Sequence, residues 1–279
     1  MAVSRVSAET SAPPPRPIHA EAVLADSLAN DLERWRQWLS PTPGGWGWEA
    51  PLRRYGRLAL KSENSPRITW RNRLEAVAVI DFETTGMSPG YGARATEIAA
   101  IIVRDGQIID RYQSLMNAGV AVPWFITQLT GITTAMVRQA PPARQVMGEV
   151  ADFVGDYPLV AHNASFDKKF WDAELAGIGH ARQQDFICSM LLARRILPQA
   201  PNHKLGTLVD FAKLPVTGRY HRAEADAEMT AHLTLYLERE LKRRFGLDTV
   251  SCQLLAHIQT TPASRLRDCV GRYGSGTMK

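Results

Sequence analysis

The chain has little of what would take it out of water or cross-link it. No run of about 18 apolar residues occurs in its 279 positions, so no transmembrane helix is expected. The opening segment MAVSRVSAETSAPPPRP has scattered charge and three consecutive prolines, where a secretory leader needs a continuous apolar stretch. A cytoplasmic location is therefore the default expectation. Cysteine is scarce: Cys188, Cys252 and Cys269 are an odd number without metal-ligand spacing, which argues against a disulfide framework or a thiolate zinc site and suits a reducing compartment. Acid is nearly missing from residues 53–73, where Arg53, Arg54, Arg57, Lys61, Arg67, Arg71 and Arg73 face Glu63 alone. What the chain does have is enough apolar content, 45%, for an ordinary core, and a net charge of +5 that points weakly to a polyanionic partner.

The chain changes character near residue 75. Residues 1–20, rich in Pro, Ala and Ser, read as a disordered tail. Residues 21–74 form a tryptophan-rich, basic N-terminal extension, in which Leu24, Leu28, Leu32, Trp35 and Leu39 trace one apolar helical face before PTPGGWGWEA breaks it. Its tryptophans call for an apolar surface, either the rest of this chain or a protein partner. The basic strip at 53–73 is either a solvated linker or a track for a phosphate backbone. Residues 75–245 read as an α/β domain. AVAVIDF, TEIAAIIVRDG and QIIDRYQSLMN are three strands in succession, an antiparallel meander. PLVAH leading into ASFDKKFWDAELA, and QDFICSM leading into LLARRIL, are strand–helix alternations of the kind that make parallel pairs. A long helix from about Ala223 to Arg244 closes the domain, and a mixed sheet flanked by helices is the expected architecture. Residues 246–279 read as a C-terminal tail with one modest helical pattern near Cys252 to Ile258.

Four acids and one histidine stand out: Asp81 and Glu83 in VAVIDFETTG, Asp167 in AHNASFD, and Asp226 in HRAEADAE, led by His221. Residues two apart on a strand share a face, so Asp81 and Glu83 project together from the C-terminal end of the first strand. Paired carboxylates after so apolar a strand need cations to be buried, and the neighbouring Thr84, Thr85 and Gly86 supply none. Asp167, taken alone, is better explained by the dipole of the helix it opens. Glu224 and Glu228 read as solvated surface. Oxygen donors without cysteine favour Mg²⁺ or Mn²⁺ over zinc. Two such ions roughly 3.5–4 Å apart can clamp the attacking and leaving oxygens of a phosphodiester, and a histidine near neutrality can take the proton of the attacking water. Phosphodiester hydrolysis is the implied reaction.

IDFETTG, HNASFD and YHRAEADAE together resemble the three exonuclease motifs of the DnaQ-like DEDDh 3′–5′ exonucleases. Over residues 75–245 the resemblance also takes in LTGIT (129–133) and HKLGTLVDFAKL (203–214). It implies a ribonuclease H-like fold, a mixed five-stranded sheet flanked by helices, and two divalent metals. It implies Asp81, Glu83, Asp167 and Asp226 as metal ligands and His221 as general base, with Thr84, Gly86, Leu129, Thr130 and Asn163 lining the terminal nucleotide pocket. The expected partner is a nucleic acid with a free 3′ end, DNA first and RNA as the alternative, as in the similar ribonuclease T and oligoribonuclease branches. A homodimer is common among such relatives, and no membrane is implied. Where the bacterial proofreading subunit resembles this chain it has a His in place of Thr130 and an acid where Phe125 aligns, and it lacks the extension at 21–73. The substrate cleft is therefore expected to differ from the proofreader's.

Overall fold

The computed structural model describes residues 76–216, 218 and 220–273. The expected tail at 1–20 and the extension at 21–74, with its basic strip, lie outside the described residues. Strand β1 (Ala76–Thr84) runs through the centre of the sheet, and nearly all of its side chains are buried. Apolar, β-branched residues on both faces suit a central strand covered on both sides. Strands β2 (Ala95–Arg104) and β3 (Gln107–Leu115) follow as the antiparallel meander. The short β4 (Leu159–Ala161) and β5 (Phe186–Cys188) add in parallel, giving the order β3-β2-β1-β4-β5. β3 lies at one edge, and its exposed Asp110 and Arg111 keep that edge charged.

Helices α1 (Trp124–Thr130), α2 (Thr134–Gln139) and α3 (Ala143–Val154) connect β3 to β4. Helix α4 (Ser165–Ala176) follows β4, and α5 (Ser189–Ile196) and α6 (Leu205–Phe211) follow β5. The long α7 (Ala223–Phe245) comes next. Alternation along β1 divides the core in two. Ala78, Ile80 and Phe82 face α3 and α4, where Phe170 and Trp171 are fully buried. Val77 and Val79 face α7, whose Ala223, Ala227 and Ala231 recur every four residues and let the helix backbone lie close to the sheet.

The sequence reading needs correction beyond Phe245. Residues 252–273 are not a tail: helices α8 (Cys252–Thr260) and α9 (Leu266–Tyr273) place Leu254, Leu255, Ile258, Leu266 and Val270 in the same core layer as α7. The helical pattern of α8 was visible, but its burial depends on a surface made by α5 and β5, far earlier in the sequence. Glu228 also departs from its reading as solvated surface. It is buried on α7 and forms an ion pair with Arg111 of β3. The three cysteines are free thiols, and no helix among the described residues is long and apolar enough to cross a membrane.

Candidate active site

The four acids arrive from three elements. Asp81 and Glu83 leave the C-terminal end of β1 on its α7 side, while Asp226 lies in the first turn of α7. Asp167 comes from the first turn of α4, on the other side of the sheet. Its carboxylate is buried and accepts the Phe82 backbone N–H at 3.2 Å, so it ties α4 to the strand. The strand register shifts between Glu83 and Thr84, a bulge that ends regular pairing just where the acids emerge.

Burial and mutual repulsion raise all four carboxyls. Asp81 is pushed well above the ordinary range by burial and then by Asp167, Asp226 and Glu83. Glu83 rises to about 8 through burial and then repulsion from Asp226 and Glu97. Asp167 rises to about 7 through burial, although the Phe82 N–H opposes the shift. Asp226 rises to about 6, again through burial, against the His221 N–H. Without a counter-charge, such a cluster holds protons near neutrality.

Histidine and acid meet where the spacing placed them. One ligand atom from each of Glu83, His221 and Asp226 falls within 4.8 Å of the others. The His221 backbone N–H donates to Asp226 Oδ2 at 3.0 Å. Asp226 Oδ1 is buried without a hydrogen-bond donor, an anomaly for a carboxylate oxygen that a cation would remove. A buried, oxygen-rich donor set with an orphaned carboxylate oxygen fits divalent cations of the hard class.

The residues expected around a terminal nucleotide divide into two groups. Thr84 is buried and donates its hydroxyl to the Gly86 carbonyl at 2.7 Å. Thr85 pairs with the Arg94 backbone in both directions, which holds the turn, and a Cβ at Gly86 would come within 3.3 Å of Ala93. Arg94 is held in turn by a bidentate pair with the buried Glu174 of α4. Leu129 is exposed on α1, and Asn163 is exposed at the mouth of α4 in a left-handed conformation, φ 64°. Thr130 is buried, and its hydroxyl donates to the Ile126 carbonyl and accepts the Ile132 N–H, which closes the end of α1. Beside the turn a cleft of about 330 Å³ is lined by Thr85, Gly86, Met87, Tyr91, Val120 and Pro123. Met87, Tyr91, Trp124 and Phe125 are exposed in this region of the chain. His162 is a packed residue: its ring bridges Ser189 and the His203 carbonyl, and burial lowers it to about 4.

Sequence reasoning missed two residues. Glu97, on β2 directly opposite Glu83, is fully buried and forms a bidentate pair with Arg222, the neighbour of His221. A lone acid in the otherwise apolar TEIAAIIV was the available signal.

Residues 78–234 match the profile of the exonuclease family RNase T. The chain belongs to that family. The exonuclease region is 36% identical over 168 residues to the PolC-type DNA polymerase III of Bacillus cereus, and 38% identical over 168 residues to that of Halalkalibacterium halodurans. The match covers 60% of this chain and 12% of each polymerase, so it spans only a small part of those relatives. Among solved structures, Exonuclease X in complex with 5′ overhanging duplex DNA superposes with a TM-score of 0.53 at 27% identity, covering 66% of this chain and 99% of that one. The nuclease domain of 3′hExo, a DEDDh family member bound to rAMP, shares the fold, with a TM-score of 0.52 at 20% identity over 60% of this chain and 92% of that one. The expected ribonuclease H-like mixed five-stranded sheet is the sheet observed. Residues 78–234 are therefore an exonuclease domain of the RNase T family, with the fold seen in the 3′hExo nuclease domain.

Proposed function

We propose that the protein hydrolyses phosphodiester bonds one nucleotide at a time from the 3′ end of DNA, with two divalent cations and His221 as general base. The observation that carries this reading is the convergence of four raised carboxyls on the end of β1, with Asp226 Oδ1 left without a donor and His221 beside Asp226. Asp81, Glu83, Asp167 and Asp226 would hold the cations. When bound, these cations neutralise the acids and stabilise charge on the attacking and leaving oxygens. His221 takes the proton from the attacking water, so its ring must be aimed while its backbone N–H stays on Asp226. The pinned Thr84–Gly86 turn presents backbone to the terminal nucleotide, and Leu129 and Asn163 border it. The exposed Met87, Tyr91 and Trp124 offer faces on which unpaired bases can stack. DNA as the polymer is supported by the polymerase relatives and by the duplex-bound neighbour.

The test is degradation of 3′- and 5′-labelled DNA and RNA oligonucleotides, single- and double-stranded, with Mg²⁺ or Mn²⁺. Stepwise shortening of 5′-labelled DNA supports the reading. Faster loss of RNA overturns the choice of polymer, and full activity in excess EDTA overturns the metal chemistry.

A further inference from the structure

We propose that Glu97 and Arg222 are positioning residues that fix the placement of His221, an inference that rests on His221 acting as the base. The Glu97 carboxylate accepts four hydrogen bonds. Arg222 Nη2 and Gln113 Nε2 donate to Oε1, while Arg222 Nε at 3.1 Å and the Ala223 backbone N–H at 3.1 Å donate to Oε2. A carboxylate has about four lone-pair sites, so this one is saturated and has nothing left for a cation. That separates Glu97 from the acids beside it, although it faces Glu83 across the sheet.

What Glu97 holds is the entrance to α7. Arg222 is the residue at the helix start, in extended backbone conformation, and the helix's first N–H, from Ala223, is satisfied by Glu97 from another strand. The Arg222 carbonyl accepts the Asp226 N–H at 3.1 Å. His221, one residue earlier, has φ 62°, a conformation disfavoured for a residue with a Cβ and kept only where its surroundings impose it. Two carboxylates impose it here: Asp226 through the His221 N–H, and Glu97 through the neighbouring guanidinium. A planar guanidinium gripped at two nitrogens fixes direction as well as distance, which an ammonium cannot do. Arg222 therefore sets where the chain leaves the sheet, and with it where the imidazole stands.

The experiment is a mutant cycle with Arg222→Ala, Arg222→Lys and Glu97→Gln, each made in the wild-type and the His221→Ala background. Turnover is read on a labelled oligonucleotide, and Mn²⁺ affinity by calorimetry. Arg222→Ala is expected to lower kcat by about 10–100-fold with KM little changed, the scale typical of losing a group that orients another. In the His221→Ala background the same change should have almost no further effect, because residues that act as a unit are non-additive. Mn²⁺ affinity should stay within about 3-fold, and Arg222→Lys, which keeps the charge, should not restore turnover. Equal losses in both backgrounds, full rescue by Lys, or a fall in Mn²⁺ affinity that accounts for the lost rate would each overturn the proposal. Should Arg222→Ala fail to fold, Arg222→Lys and Glu97→Gln complete the same cycle. Near-normal turnover of His221→Ala alone would defeat the base reading as well, whereas a slow His221→Ala with additive Arg222 losses defeats only this inference.

Discussion

The acid side of the site and the histidine side are built in opposite ways. Asp81 and Glu83 sit on a central strand, and Asp167 and Asp226 in the first turns of packed helices, so regular elements with buried flanks hold them. His221 stands on a short connection just before α7, at φ 62°, and depends on side-chain contacts with Asp226 and, through Arg222, with Glu97. Carboxylates that share charge need fixed spacing, because an error of an ångström changes their repulsion and any cation's fit. A proton acceptor needs aim more than rigidity. On the proposed roles, the difference would place metal-site errors in the core of the fold and base errors in a handful of hydrogen bonds.

The sharpest way to break this comparison is at the acids. Asp81→Ala should remove a ligand position and lower the exonuclease rate by about 10³-fold or more, since cation stabilisation of the transition state is worth several kcal/mol. A gel assay with Mg²⁺ that shows substantial cleavage would mean that the acids are structural. On the other side, His221→Ala should slow hydrolysis by about 10²–10⁴-fold while Mn²⁺ still binds with ordinary affinity. Loss of Mn²⁺ binding in that variant would erase the distinction between holder and base.

A subtler consequence lies in pH. Glu83, Asp167 and Asp226 rise in the fold to about 8, 7 and 6. Groups raised on folding stabilise the protein at low pH, and that stabilisation is lost as pH climbs through their folded values. The metal-free protein should therefore lose thermal stability between about pH 5 and 8, and saturating Mg²⁺ should raise its melting temperature more at about pH 8 than at pH 5.5. An Mg²⁺ gain independent of pH would show that the acids are already ionised or do not share cations. The smallest expected effect concerns residues outside the described part of the chain. Removing residues 1–73 should weaken nucleic-acid binding and flatten its dependence on salt, if Arg53 to Arg73 contact phosphates. An unchanged slope in a fluorescence titration would assign that strip to the linker.

The regular elements were legible because periodicity is local. AVAVIDF announces a buried strand, and the stretch from about Ala223 to Arg244 a long helix, whatever surrounds them. The same applies to the chemistry of the acids, whose types and order pointed to cations before any distance was known. The surroundings of Thr130 were less legible, because a motif places its backbone but not its hydroxyl, which bonds to the Ile126 carbonyl and the Ile132 N–H. Helices α8 and α9 were underrated because their apolar stripes have meaning only against a layer formed elsewhere.

The sequence by itself singled out the candidate groups for the chemistry, four carboxylates and one histidine, and the elements that carry them. Only the tertiary structure decided how they are held. Phe82 reaches Asp167 across 85 positions, and Arg222 reaches Glu97 across 125. Short-range spacing sets which face a side chain takes, but a hydrogen bond between distant segments exists only after strand register and helix packing have brought its donor and acceptor within reach.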